Sequence, residues 1–149
     1  MLKVYLDPMS QPSRALLSFL LVNNIPHELN KVLISKMQNR SEEFLAINPL
    51  GQVPAIDDNG FKLAGSHSIL SYLHDTRGCP DYWYPRDPQK RAEVDSILHW
   101  HHTSIRIGSR MFFEKWVKPL IGMETNEKNV EQARTVYSGA QDHLENLLT

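Results

Sequence analysis

Asn48-Pro49-Leu50-Gly51-Gln52-Val53-Pro54-Ala55-Ile56 is a turn-rich run that feeds a short apolar strand through a Val-Pro bond. Proline has no N–H to give to a strand ladder, so Pro54 belongs at an edge, at a strand's first residue or at a kink. Two readings fit these residues. In one, a cis Val53-Pro54 peptide kinks the chain and presents the Val53 backbone to an extended peptide ligand. In the other, an ordinary turn precedes an edge strand. Further along, Ser66-His67-Ser68-Ile69-Leu70-Ser71-Tyr72-Leu73 opens a helix with Ser66 as its cap.

Outward from this pair, strands and helices alternate through the first half of the chain. A strand is predicted over 2–6, and a helix over 11–22 with Ala15, Leu16, Phe19 and Leu20 at helical spacing. A second strand follows over 27–33, and Ser41-Glu42-Glu43-Phe44 opens a short helix. Strands over 53–56 and 61–63 flank Asp57-Asp58-Asn59-Gly60 as a hairpin, and the Ser66 helix runs to about 75. The order βαβαββα packs as a small mixed sheet with helices on both faces, because a β-α-β crossover is parallel while Asn59-Gly60 is a hairpin turn.

Gly78, Pro80, Pro85 and Pro88 surround Tyr82-Trp83-Tyr84 and read as an ordered linker over 79–87, between a domain at 1–78 and a helical region at 88–149. Asp87 and Pro88 open a long helix expected to reach about 117, with Pro119 and Gly122 ending it. A last helix from about 126 carries Val130, Ala133, Tyr137, Ala140, Leu144 and Leu147 as a single apolar stripe, which needs one partner and so predicts an antiparallel pair. The long helix has Trp100, Ile105, Met111, Phe112, Phe113 and Trp116 on more than one face, more than two helices can cover.

With 149 residues, 41% hydrophobic, 22% charged and a net charge of -1, the chain is globular and lacks the electrostatic footprint of a nucleic-acid or membrane-surface binder. Small-molecule or protein partners are expected. Cys79 is the sole cysteine, which excludes an internal disulfide and any Cys/His zinc spacing and fits a reducing compartment. His99, His101 and His102 do not share one helix face, so no metal is expected. The chain begins on a strand with no basic, apolar leader, and no stretch approaches the ~20 apolar residues of a membrane span, so a cytoplasmic, soluble protein is expected.

Ser10 stands directly before a helix with Pro12 near its start. As a plain N-cap it contributes ~1 kcal/mol. Together with Tyr5-Leu6-Asp7, Ser10-Gln11-Pro12-Ser13-Arg14-Ala15, Ile47-Asn48-Pro49-Leu50-Gly51, Val53-Pro54-Ala55, Ser66 with Ile69-Leu70-Ser71-Tyr72-Leu73, and Tyr82-Trp83-Tyr84-Pro85 with Trp100-His101-His102, it gives a sequence that resembles the cytosolic glutathione S-transferases, the theta class best. The resemblance implies an α/β thioredoxin-like N-terminal domain followed by a partial all-α domain. The family's helical domain continues through more helices, so the chain reads as truncated within it.

The resemblance also implies a site. Ser10 donates to the glutathione sulfur and stabilises its thiolate. Gln11 lies beside the ligand and Arg14 serves as an ion-pair partner. Asn39 and Arg40 fall where the family contacts the glycine carboxylate. Gln52 and Val53, with Pro54, pair the backbone with the cysteinyl part, and Ser66 takes the γ-glutamyl carboxylate. At position 65 the family has Glu or Gln and this chain has Gly65, so part of the grip is missing. Arg106, Met111, Phe112 and Trp116 are expected to line a hydrophobic-substrate pocket. The activity implied is conjugation of glutathione to an electrophile, or reduction of a hydroperoxide, by a homodimer with glutathione as co-substrate and no permanent cofactor. Gly65 and the missing helices motivate a rival reading, a silent glutathione-binding or protein-interaction module. A thioredoxin-like redox role is disfavoured because no cysteine lies near Ser10.

Overall fold

The computed structural model describes residues 1–148 and forms two compact units, Met1–Pro85 and the chain from Arg86 onward. In the first unit β1 (Leu2–Leu6), α1 (Gln11–Val22), β2 (Glu28–Lys31), α2 (Glu42–Leu45), β3 (Ala55–Asp58), β4 (Phe61–Ala64) and α3 (Ser66–Arg77) follow in the expected order. The sheet is ordered β2-β1-β3-β4, with β1 and β2 parallel and the other pairs antiparallel. Alternation along β1 sets the two faces. Leu2, Val4 and Leu6 pack with Leu16, Phe19, Leu20, Ile56, Ile69 and Leu73 of α1, β3 and α3. On the other face Tyr5 and Ala55 meet Val32, Phe44 and Val53.

Several local expectations shift. Ala15 is exposed and Ser13 takes its place on the buried face, since Ser13, Leu16 and Leu20 repeat at helical spacing. The Val53-Pro54 peptide is cis, and β3 begins only at Ala55, paired to Tyr5 and to Ala64. Asn59 (φ 54) and Gly60 (φ 96) make the two-residue hairpin turn, both at positive φ as that turn requires. Ser66 is not the cap of α3: Gly65, at φ 91, holds that position and Ser66 is the first helical residue. The helix runs on to Arg77 and stops at Gly78, left-handed at φ 65. Asp58 ties it to the sheet, accepting from the Tyr72 hydroxyl (2.7 Å) and the Arg77 guanidinium. Those bonds, Tyr72's foremost, outweigh burial and hold the Asp58 carboxyl below its ordinary range. The aromatic segment belongs to this unit: Cys79 joins the core, Trp83 stands edge-on to Phe19 at 5.6 Å, and Tyr84 edge-on to His74 at 5.8 Å.

In the second unit the long helix is broken. α4 (Pro88–Thr103) is capped by the Asp87 carboxylate, which accepts from Lys90 N at 2.9 Å. At its end the hydroxyls of Thr103 and Ser104 both bond the Trp100 carbonyl, and Ser104 leaves helical geometry at φ -120, ψ -82. Such back-bonding competes with the helical ladder. A tight turn (Ile105–Ile107), α5 (Gly108–Phe112), a wide turn (Phe113–Val117) and α6 (Lys118–Leu120) continue the path. The break lets Gly108 meet α7 (Glu127–Leu148), where a Cβ would stand 2.9 Å from the Tyr137 ring. Val130, Ala133 and Ala140 of the expected stripe are buried, while Leu147 is half exposed. Glu114, buried in the wide turn, accepts from Asn126 N (3.0 Å), Asn129 Nδ2 (3.0 Å) and Lys118 Nζ (2.9 Å), which lowers its pKa to about 2.

Candidate functional site

The sheet register decides which candidate residues meet. β1 and β2 are parallel, so the loop carrying Ser10 and the segment carrying Asn39 and Arg40 leave from the same end of the sheet. Tyr5 pairs with Ala55 and Ala55 with Ala64, so the chain entering β3 through Val53-Pro54 and the chain leaving β4 into Gly65-Ser66 reach that end too. Four separate stretches of sequence thus converge at one end of the first unit.

Asp7 fixes two of them. It is buried, its carboxylate accepts from Met9 N and Ile34 N (2.8 Å each), and its carbonyl accepts from Ser10 N at 2.9 Å. Arg14 does not take the expected ion-pair role; its guanidinium donates to the carbonyls of Pro8 and Met9 at 3.0 Å each. Ser10, half-buried, sits at the N-cap position of α1 with extended backbone, yet its hydroxyl makes no capping bond. A cap oxygen bonds the N–H of the second or third helical residue; Pro12, the second, has none to offer, and the bond to Ser13 N, the third, is not made. A half-buried hydroxyl is thereby left uncommitted at the positive end of a helix. Gln11 is exposed beside it.

Two asparagines hold the run before Val53. Asn48 donates to the Gln52 carbonyl (2.7 Å) and accepts from Leu50 N (3.2 Å). Asn39, buried, donates to the Gly51 carbonyl at 2.9 Å, and its Oδ1 has no hydrogen-bond partner. Arg40 is exposed and lies over Gly51, where a Cβ would come within 2.8 Å of its Nη1. Gly51 has φ 64, so both backbone and space call for glycine there. Gln52 points its side chain to solvent, and Val53 buries its own while its backbone stays ahead of the β3 ladder. Ser66 is buried at the start of α3, whose first N–H groups have no helical acceptors.

The remaining candidates lie in the second unit. Arg106 is half-buried and approaches His102 Nδ1 at 3.2 Å, Met111 is half-buried, and Phe112 and Trp116 are 56% and 65% exposed. Burial pushes the Cys79 thiol pKa up, away from reactive thiolate chemistry. Among the described residues no group of three or more His, Cys, Asp and Glu could hold a metal ion, and no helix is long and apolar enough to cross a membrane. Sequence reasoning missed Asp7 and Asn48 as builders of the site. Asp7-Pro8 and Asn48-Pro49 are turn-initiating pairs that could have pointed to both.

Residues 10–76 match the family model described as glutathione S-transferase, N-terminal domain. The chain is 44% identical over 147 residues to human glutathione S-transferase theta-2B, covering 97% of this chain and 59% of that protein. It superposes on human glutathione transferase theta-2, solved in complex with glutathione and an unknown ligand, with a TM-score of 0.92 at 41% identity, covering 98% of this chain and 60% of that one. A human theta-class transferase in complex with the glutathione conjugate of 1-menaphthyl sulfate gives a TM-score of 0.91 at 42% identity, over 97% of this chain and 60% of that one. The chain thus spans about three fifths of the length of these relatives. By its motifs, its sheet and this likeness, the chain belongs to the glutathione S-transferase family, among the theta-class members.

Proposed function

We propose that the chain binds glutathione at the convergent end of its first unit and, as a transferase, conjugates it to electrophilic small molecules. The observation that carries this reading is the uncommitted Ser10 hydroxyl at the N-terminus of α1, gathered with the Val53 backbone and the start of α3 at one sheet end. A thiol of pKa ~8.5 is only roughly 3% ionised near neutral pH, and lowering it by about two units requires ~2.7 kcal/mol of preference for the anion. A hydroxyl donor and a helix N-terminus supply that preference between them. The thiol proton goes to solvent, the thiolate sulfur forms a bond to the electrophilic carbon, and the leaving group departs with the electron pair of the bond it breaks.

Within this reading Val53 pairs its backbone with the cysteinyl part, Arg40 faces the glycine carboxylate, Ser66 holds the γ-glutamyl carboxylate, and Gln11 and Gln52 border the ligand. Asn39 acts by holding Gly51. Arg106, Met111, Phe112 and Trp116 are assigned to the apolar co-substrate, an electrophile or a hydroperoxide, with Phe112 and Trp116 offering exposed aromatic surface. A homodimer and a reducing, cytoplasmic setting complete the proposal; the sole cysteine, a buried thiol, fits the reducing setting. The transferase relatives weigh against a silent module.

Titration calorimetry of the chain with glutathione, run beside an ultraviolet difference spectrum for bound thiolate, tests the reading. Saturable binding with a thiolate signal is expected. Ser10→Ala should keep the fold and lose most thiolate signal and turnover; retained signal would remove Ser10 from the mechanism.

A further inference from the structure

We propose that Asp7 is a positioning residue for Ser10: its carbonyl and carboxylate hold the turn before α1 so that the Ser10 hydroxyl is aimed at the glutathione sulfur. The proposal rests on the glutathione reading above. Packing does not hold this turn, since Pro8 and Met9 are exposed, Met9 at 78%. Its geometry depends on hydrogen bonds.

A peptide unit is planar, so bonding both its C=O and its N–H fixes the plane. Two such units lead into Ser10. In the first, the Pro8 carbonyl accepts from the Arg14 guanidinium at 3.0 Å and Met9 N donates to Asp7 Oδ1 at 2.8 Å. In the second, the Met9 carbonyl accepts from the same guanidinium at 3.0 Å and Ser10 N donates to the Asp7 carbonyl at 2.9 Å. Both N–H groups therefore end on Asp7, and both carbonyls on Arg14. Arg14 belongs to the helix that Ser10 opens, so it ties the turn only to its own neighbour. Asp7 ties it to the rest of the unit: the side chain is buried at the end of β1, and Oδ2 accepts from Ile34 N at 2.8 Å, 27 residues away. Ile34 begins the segment that leads to Asn39 and Arg40, so one carboxylate sets the thiol side of the site against the side assigned to the glycine carboxylate. Misplacing a reacting group by about 1 Å costs ~10²-fold in rate, which gives such a brace its effect. No bond forms or breaks in this role; Asp7 acts by geometry.

The test follows the thiolate signal of added glutathione against pH, with the dissociation constant and the melting temperature, in Asp7→Asn and Ile34→Pro. Asparagine keeps the shape but offers one acceptor oxygen where two N–H groups call for one each. Asp7→Asn is expected to raise the pKa of the bound thiol and cut thiolate near neutral pH about threefold to tenfold, the worth of one hydrogen bond. Ile34→Pro leaves Asp7 unaltered and removes the N–H that anchors Oδ2. Proline suits the first position of a helical turn, and Leu33 before it is already extended at φ -75, ψ 110. This variant should shift the thiol in the same direction, by less. A purely structural Asp7 would lower the melting temperature and leave the thiol pKa of the folded chain where it was. In the Ser10→Ala background, Asp7→Asn should cost no further thiolate. An unshifted thiolate titration in either folded variant, or a further loss in the Ser10→Ala background, would overturn the proposal; if Asp7→Asn does not fold, Ile34→Pro decides. Absence of bound thiolate in the unsubstituted chain would overturn the glutathione reading itself, and this proposal with it.

Discussion

Gly65→Glu asks the chain to regain a contact at a cost that the backbone sets in advance. Gly65 has φ 91 and ψ 114, outside the regions L-residues favour. A side chain held there costs ~1–3 kcal/mol. Sterics add nothing, because the nearest heavy atom to an added Cβ is Ser68 Oγ at 3.9 Å. A carboxylate beside the N-terminus of α3 returns ~0.3–1 kcal/mol. The net loss is about 1–2 kcal/mol, read as an earlier urea midpoint at unchanged slope. Binding should move the other way. A charge-assisted hydrogen bond to the γ-glutamyl ammonium is worth ~1.5–3 kcal/mol, which tightens glutathione about tenfold to hundredfold. Gly65→Ala separates the two effects, since it carries the backbone cost and offers no carboxylate. Calorimetric titration of both variants decides the matter. If Gly65→Glu binds no tighter than Gly65→Ala, Gly65 is not a missing ligand contact; if neither variant loses stability, the strain argument is wrong.

Gly51→Ala combines φ 64 with a Cβ only 2.8 Å from Arg40 Nη1 and 2.9 Å from the Asn39 carbonyl, so urea unfolding should show a loss of about 2–4 kcal/mol. Gly60→Ala, at φ 96 with nothing within 4 Å of the added atom, should lose less, and an equal loss would discard the steric part. Glu114 titrates at about 2 in the fold against an ordinary 4.5, so its contribution is full above the ordinary value and disappears as the pH falls toward the folded one. Melting temperatures measured down through that window should fall less steeply in Glu114→Gln than in the parent chain, and parallel curves would show that Glu114 does not carry the acid sensitivity.

The first unit was legible because its signals are local and agree with one another. Alternation in Leu2–Leu6, the Asn59-Gly60 turn and the helical spacing of Leu16, Phe19 and Leu20 each point to one element, and together they allow one topology. What failed there were residues whose state depends on a neighbour's backbone: Ser66 reads as a cap by type, but Gly65 supplies the positive φ that starts the helix. The second unit hid more. Periodicity from Pro88 onward shows helix, yet hydroxyls of Thr103 and Ser104 turning onto one carbonyl break it, and the contact of Gly108 with Tyr137 is a tertiary fact. Glu114, an ordinary acidic residue in sequence, becomes the buried clasp at the start of α7 only once the wide turn brings it there.

The site itself is marked by groups that a stability-only design would have satisfied. A helix beginning Ser-Gln-Pro-Ser has two hydroxyls at its first turn, either of which could cap or back-bond. Pro12 has no N–H to offer, Ser10 makes no capping bond, and the buried Ser13 Oγ has no partner. Asn39 repeats the pattern, with its donor committed to Gly51 and its buried acceptor open. An unmade bond on a buried polar group costs ~1–3 kcal/mol. A domain is stable by only about 5–15 kcal/mol in total, so each such bond is a sizeable share of it, and we read the open groups at this sheet end as kept for a ligand to complete. The same logic explains why Asp7 is bonded through both of its carboxylate oxygens. Its carboxylate holds the loop rigid from outside, so that the open groups are held in place without being used up.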